Sequence, residues 1–266
     1  MINKELKIKD IKNFLIKNFS EENNISVIEE MIIKSREYSK FLPNDGLGWV
    51  SLATALSKKF KLQKDSSFSK EIVDAYENYL VIDDSNPLIY INLAVELEKS
   101  NMNKAQEVYE KTLLKFPKNE ILLLHYSNLF FKKNDYEKAK DILLKIIEIN
   151  DKNEQALQNI AYIYQKQAML EDAEKYYKKA FILNPSETNY ISLSSIYLRL
   201  EKNLIAEKFL LEGLKKYPRS DRICNNLIVT YSKLGKFKDK INLEEKIFGL
   251  IEFNKHDKPG EFRIKK

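Results

Sequence analysis

The sequence predicts an all-α solenoid of tandem helix pairs, and three observations support that prediction. Matched residues recur at a period of about 34 residues, which is typical of stacked repeat units. Within each copy, apolar residues follow the i, i+3, i+4, i+7 spacing of amphipathic helices. Gly and Pro number only six each among 266 residues, as expected of a helical chain. Two successive copies read Leu123, Tyr126, Phe130, Ala139 and Leu143, then Leu157, Ile160, Tyr164, Ala173 and Tyr177.

Six copies can be traced between Gly46 and Phe253, and each carries small residues where its two helices are expected to cross. Close helix approach requires small side chains, because added methylenes at a packed contact cost about 1–3 kcal/mol. The small residues are Ala53, Ala94, Ser127, Ala161 and Ser194 on first helices, and Ala105, Ala139, Ala173 and Ala206 on second helices. A proline that ends the second helix follows in three copies, at Pro117, Pro185 and Pro218.

These copies resemble the tetratricopeptide repeat, whose pattern is W-x2-L-G-x2-Y, then A-x3-F/Y, then P. The first copy has Trp49, Leu52 and Ala53 at the matching positions, whereas the sixth has Lys240 where Ala is expected. The resemblance implies a right-handed α-solenoid whose first helices line a concave, partner-binding face. It divides the chain into an N-terminal helical cap (1–45), six repeats (46–253) and a C-terminal segment (254–266).

Two helices are expected before the repeats. The first covers about residues 4–19, and the second runs to about Phe41, with Ser26 and Glu29 as a capping box. We interpret the pair as a cap over the apolar end of the solenoid. The alternative is a lysine-rich amphipathic helix at a membrane surface.

The first repeat and the C-terminal segment are irregular. Ala53 and Ile72 are 19 residues apart, against 12 for the equivalent Ala161 and Ala173, so seven extra residues within 58–68 are expected to bulge from the intrarepeat turn. This insertion is either a tolerated surface loop or a contact loop. Residues 254–266 are a basic tail, a linker to a further domain, or a short β-hairpin.

Composition limits the class of protein. The net charge is +6, and the excess lies in residues 1–19 and 254–266, so the repeats are neutral and nucleic-acid binding is not expected. No apolar run reaches the roughly 18 residues of a membrane span. Cys224 is the single cysteine, expected in the core, which suits a reducing, cytoplasmic location. Oligomeric state is not indicated.

No catalytic or metal-binding constellation is recognisable. The chain has two histidines, His125 and His256, and no P-loop, H-E-x-x-H, C-x-x-C or G-x-G-x-x-G motif. We therefore expect neither an enzyme nor a metal or cofactor site.

The resemblance places a candidate partner-binding groove on the first helices. One row bears amides or small polar groups, which can bond the backbone of an extended peptide. A second row is basic and could attract an acidic partner, although both rows could serve solubility alone. The candidate residues are Asn92, Lys99, His125, Asn128, Phe131, Lys132, Asn159, Tyr162, Lys166, Ser192, Arg199, Asn226 and Lys233.

The sequence thus favours a protein-interaction scaffold that binds an extended segment of another protein or peptide. One alternative is the substrate-recognition region of a larger glycosyltransferase-like or sulfotransferase-like enzyme, and a second is an RNA-binding helical repeat. The carboxylate clamp that some tetratricopeptide repeats use for chaperone C-termini is not matched, because Ile121 and His125 follow Asn92 where Lys and Arg would be needed.

Overall fold

The computed structural model describes residues 2–20, 23–64, 66–249, 251–252 and 263–264. Apart from two short strands at the C-terminus, these residues form an all-α solenoid of helix pairs, as the sequence predicts. The first seven helices are α1 Ile2–Asn18, α2 Ile25–Phe41, α3 Gly46–Gln63, α4 Ser69–Ile82, α5 Pro87–Leu97, α6 Met102–Lys115 and α7 Glu120–Lys132. The next seven are α8 Tyr136–Ile149, α9 Glu154–Lys166, α10 Leu170–Leu183, α11 Glu187–Arg199, α12 Asn203–Lys216, α13 Asp221–Lys233 and α14 Phe237–Gly249.

The chain forms two compact units, Met1–Ile142 and Leu143–Lys266, and the division falls within α8. In the first unit each helix from α1 to α6 packs on the next one, and α5 also packs on α7. The small residues Ala53, Ala94 and Ala105 are fully buried there. Their burial agrees with the close helix crossings that the sequence predicts.

The second unit follows the same plan from α9 to α14, with α11 also packed on α13. Ala161 and Ala173 are fully buried in one apolar cluster, which confirms the predicted register of the fourth copy. Gly213 is a further small residue at a helix crossing, because a Cβ there would lie 2.8 Å from the ring of Tyr190. The backbones of α11 and α12 can approach closely only because that Cβ is missing.

Polar side chains and left-handed turns set the helix ends. Asn and Ser side chains at N-caps accept backbone N–H bonds, as Asn86, Asn119 and Ser220 do for α5, α7 and α13. Four intrarepeat turns end in a residue with positive φ, followed by a 6→1 backbone hydrogen bond typical of a Schellman motif. The four residues are Asn134, Ala168, Glu201 and Gly235. Their 6→1 bonds run from Asp135, Met169, Lys202 and Lys236 to Phe130, Tyr164, Tyr197 and Tyr231, each at 2.9 Å.

The predicted N-cap of α2 was wrong. The helix is capped by Asn24, whose side chain accepts from the Val27 amide at 3.3 Å, and not by Ser26. Asn caps a helix as well as Ser does, and here the earlier of the two residues begins the helix. Glu29, the expected capping-box partner, instead pairs with Lys59 at 2.8 Å.

The insertion in the first repeat also differs from the prediction. It does not bulge as a loop; most of it lengthens α3, which has 18 residues where α7 has 13. The added stretch holds helix-forming Lys, Phe, Leu and Gln and ends at Lys64, which has a left-handed φ of 55°. A short 3-10 helix, Ser66–Phe68, then leads into α4.

At the C-terminus, strands β1 (Ile251–Glu252) and β2 (Arg263–Ile264) pair antiparallel, with Ile251 opposite Ile264. Residues 253–262, which would form the turn of a hairpin, lie outside the described residues. The choice between a basic tail and a hairpin therefore stays a prediction, as does the role of α1 and α2 as a cap.

Candidate functional site

The candidate residues occupy equivalent positions on the first helices of successive pairs. In the first unit, α5 carries Asn92 and Lys99, and α7 carries His125, Asn128, Phe131 and Lys132. In the second unit, α9 carries Asn159, Tyr162 and Lys166, α11 carries Ser192 and Arg199, and α13 carries Asn226 and Lys233. Helix periodicity puts these positions on one side of each helix.

The amide row of the first unit is partly solvated. Asn92 is exposed and lies close enough to Tyr76 to hydrogen bond its hydroxyl. Burial raises the pKa of Tyr76, while hydrogen bonds with Ser57 and Asn92 partly oppose that rise. Asn92 is therefore both exposed to solvent and close to the preceding helix pair, α3 and α4.

His125 occupies the equivalent position on α7 and is half-buried. Burial lowers the pKa of His125 below 6.5; the nearby Glu98 carboxylate opposes this, and the Lys132 ammonium reinforces it. The neutral imidazole offers one donor and one acceptor. It can therefore replace an amide as a hydrogen-bonding group in this row.

The two candidate lysines of the first unit pair with acidic residues at the C-terminal end of α5, Glu96 within the helix and Glu98 at its C-cap. Lys99 Nζ lies 2.5 Å from Glu96 Oε2 and 3.9 Å from the ring centroid of Phe60. Lys132 Nζ lies 2.5 Å from Glu98 Oε2, and the buried Tyr109 hydroxyl donates to Glu98 Oε1 at 2.8 Å. The basic row is thus part of the internal contacts between neighbouring repeats.

Sequence reasoning missed Glu96 and Glu98, although a signal for each was present. Glu96 precedes Lys99 by three residues, which is ion-pair spacing on a helix. Glu98 precedes Lys132 by 34 residues, one repeat period, so the two meet on adjacent first helices. Lys58, which continues the basic row into α3, donates to the Phe19 carbonyl at 2.6 Å.

In the second unit, too, a residue of the basic row contacts the preceding first helix. Arg199 donates to the carbonyl of Gln165 at 3.3 Å, again 34 residues earlier. The side chain of Gln165 in turn accepts from the Tyr177 hydroxyl at 3.0 Å. Lys166 lies 5.2 Å from the ring centroid of the exposed Tyr162, so an aromatic face and a cation are presented together to solvent.

Asn226 differs from the other amides. Its side-chain nitrogen donates to Ser194 Oγ at 3.0 Å and to the Ile191 carbonyl at 3.4 Å, both on α11. This amide therefore bridges two first helices. Asn159 is half-buried on α9, and Ser192 is half-buried on α11.

The remaining candidates have simpler surroundings. Asn128 is half-buried, and Phe131 makes an edge contact with Tyr136 at a centroid distance of 5.9 Å. Lys233 is exposed near the end of α13.

Large apolar side chains also lie exposed on the same helices. Leu88 and Ile121, at equivalent positions in the first turns of α5 and α7, are 48% and 50% exposed. Val229 is exposed on α13. The first helices α5, α7 and α13 therefore combine apolar, amide and basic groups, a composition suited to contact with a peptide. We call these exposed apolar positions and the candidate residues above the first-helix row.

The part of the chain that the structure describes holds neither a metal-binding cluster nor a membrane-spanning helix. No group of three or more His, Cys, Asp or Glu side chains is placed there to hold a metal ion. No helix in the same ranges has the length and apolar character needed to span a membrane.

Comparison with known proteins supports the fold. Two tetratricopeptide-repeat family models match, over residues 96–161 and 154–187. Curated protein sequences give no match. A solved tetratricopeptide repeat protein from Parabacteroides merdae is similar at a TM-score of 0.63 and 16% identity, with 94% of this chain and 95% of that chain covered.

Two further solved structures resemble this chain. PilW, described as a type IV pilus biogenesis factor, has a TM-score of 0.62 and 15% identity, covering 83% of this chain and 98% of its own. YrrB, described as a TPR protein with an unusual peptide-binding site, has a TM-score of 0.51 and 16% identity, covering 72% and 96%. At these identities the similarity establishes the shared fold alone.

Proposed function

We propose that this chain is a protein-interaction scaffold whose first helices hold an extended segment of a partner. The tetratricopeptide-repeat models that match residues 96–161 and 154–187, together with the shared fold, support this proposal. The observation that carries this proposal is the exposure of Leu88 and Ile121. They occupy equivalent positions on α5 and α7, and these two helices pack against each other. Apolar side chains repeated at one position of a solvated row favour a contact surface over chance exposure.

The polar groups of the same row define what such a segment would meet. Asn92 and His125 provide donors and acceptors suited to a peptide backbone. Lys99 and Lys132 already bind Glu96 and Glu98, so this part of the row is close to electrically neutral. We therefore expect an apolar or mixed segment, and we expect neither a strongly acidic segment nor nucleic acid.

In the second unit, the proposed contact groups are Tyr162 with Lys166 and the exposed Val229. Asn226 would contribute mainly by fixing α13 against α11, because its amide nitrogen is already bonded there. The peptide-binding site named for YrrB is consistent with this use of the fold.

The test is a peptide selection followed by affinity measurement. Peptides selected from a random library on the wild-type protein should bind the Leu88→Ser, Ile121→Ser double variant at least about tenfold more weakly, since removing each apolar side chain from the interface costs roughly 1 kcal/mol. Leu114→Ser is the matched control, because Leu114 is even more exposed but lies on the second helix α6.

Equal binding by the double variant and the wild type would reject the first-helix row as the binding surface. An unchanged melting temperature of the double variant is needed to assign a weaker affinity to the binding surface itself. Its two replaced side chains are half-exposed, so the fold should tolerate the change.

A further inference from the structure

A second surface, separate from the first-helix row, surrounds the outward side of α2. Ile33, Arg36, Glu37 and Lys40 follow one another at i, i+3, i+4 and i+7, so they form a single stripe. A cavity lies against each side of this stripe, and Arg36 and Lys40 line both cavities. We call the stripe and its two cavities the α2 face.

The first cavity, of about 360 Å³, has an apolar floor. Trp49 and Leu52 from α3 and Ala75 from α4 line it. The Trp49 indole N–H donates to the Pro43 carbonyl at 2.9 Å, which fixes the orientation of the ring. The volume lies within the range of pockets that hold a large side chain or small ligand.

Charged groups from α2 and α4 also line this cavity. The Arg36 guanidinium makes two 2.7 Å hydrogen bonds to the Glu71 carboxylate and joins α2 to α4. One turn further along the same helices stand Lys40 and Asp74, both exposed; among the described residues neither side chain has an ion-pair partner. The lining of the cavity therefore includes a cation and a carboxylate that no ion pair among the described residues neutralises.

The second cavity, of about 450 Å³, is apolar and cationic. Ile33, which is 65% exposed, and Phe41 supply its apolar surface. The ammonium groups of Lys4 and Lys7 lie 5.3 and 5.8 Å from the Phe41 ring centroid. Lys7 also pairs with Glu37, so Lys4 and Lys40 carry the uncompensated charge on this side among the described residues.

We propose that the α2 face binds an acidic peptide segment of a partner protein, with one apolar side chain in each cavity and carboxylates over Lys40. The apolar linings call for apolar anchors, and the cationic excess between the cavities calls for acidic residues between those anchors. The two cavities flank one helix, which is about 10 Å across with its side chains. A polyproline-II segment spans roughly that distance in three residues and returns its side chains to one side.

The chain has one tryptophan, so fluorescence reports occupation of the first cavity directly. The probe is the capped peptide Gly-Phe-Glu-Glu-Leu-Gly, which contains no tryptophan. It should change Trp49 emission saturably, and the matched peptide Gly-Phe-Lys-Lys-Leu-Gly should bind about fivefold more weakly. Exposed ion pairs are individually weak, so we expect no larger discrimination.

Variants at exposed positions test the contacts without disturbing the core. Lys40→Glu and Ile33→Ser should each weaken the acidic peptide by about threefold to tenfold. Asp74→Asn should bind it equally or more tightly, since a repelling carboxylate is removed. Lys111→Glu and Val81→Ser, at exposed positions on α6 and α4 away from both cavities, are controls that should bind as the wild type does.

Several results would overturn the proposal. These are no saturable Trp49 response to the acidic peptide, equal binding of the two peptides, or weakening in the control variants equal to that of Lys40→Glu. A Trp49 response to protein concentration alone would assign the face to a second copy of this chain. A response to anionic phospholipid vesicles with none to the peptide would assign it to a membrane surface. The α2 face and the first-helix row share no residue, so failure of one proposal leaves the other intact.

Discussion

Replacing Lys132 by Met should destabilise the protein by about 1–2 kcal/mol. The Glu98 side chain is only 4% exposed, while that of Lys132 is 54% exposed, so the pair sits at the boundary between core and solvent. A hydrogen bond to a buried charge is worth about 1.5–3 kcal/mol, and exposed pairs are worth less than about 1 kcal/mol. Half-exposure of the lysine places this contact between those values. The Tyr109 hydroxyl remains bonded to Glu98 in the variant and limits the destabilisation.

Urea denaturation at neutral pH, compared with Lys166→Met, measures the effect. Lys166 is the equivalent residue one repeat later, but its ammonium lies against the exposed Tyr162 ring and not against a buried carboxylate. Its replacement should change stability by less than about 0.5 kcal/mol. A double-mutant cycle with Glu98→Gln then isolates the pair. Equal, small effects in both lysine variants would refute the reasoning and return Lys132 to the set of residues available for a partner.

Three further tests, with four substitutions between them, probe other parts of the structure. Ala173→Leu should cost about 1–3 kcal/mol in a thermal melt, because the fully buried Ala173 has no room for a larger side chain beside Ala161; an unchanged midpoint would contradict the assigned helix crossing. His125 has a lowered pKa in the folded state, so its contribution to stability is complete above about pH 6.5 and is lost as pH falls below that value. His125→Gln should therefore reduce the change in the urea midpoint between about pH 7.5 and pH 5. An unaltered pH profile in the variant would exclude His125 as a cause of the pH dependence of stability. Ala168→Gly should stabilise the protein and Gly235→Ala should destabilise it, each by about 0.5–1 kcal/mol, because both residues have positive φ. A Cβ at Gly235 would meet nothing within 4 Å, so the effect there would come from the backbone conformation and not from a clash. Stability changes of the same sign in the two thermal melts would contradict this explanation.

The fold was predictable because its determinants repeat. Positions such as Ala161 and Ala173 show their small-residue requirement in copy after copy, and a period of about 34 residues sums weak signals into a strong one. Features that occur at a single place in the chain were harder to predict. Asn24 and Ser26 both suit an N-cap, and propensity alone does not decide between them.

The sequence indicated which helices carry the candidate residues, but not what their side chains contact. Helical spacing assigned Lys132 and Asn226 to first helices, where they lie in α7 and α13, but the partners of these side chains come from the preceding repeat. Glu98 and Ser194 become neighbours only when the repeats stack. The two cavities beside α2 had no sequence signal, because Trp49 and Leu52 match the ordinary repeat pattern and their place in a cavity depends on how α2 and α4 are separated.

The extended C-terminal part of α3 has a consequence for how the N-terminal region opens. Lys58 donates a hydrogen bond to the carbonyl of Phe19 just after α1, and Lys59, also near the end of α3, forms a salt bridge with Glu29 of α2. Neither N-terminal helix can detach from α3 without breaking at least one of these links. We therefore expect amide hydrogens of α1, α2 and α3 to exchange as one cooperative unit, with the N-terminal helices protected beyond what terminal segments of this length usually show.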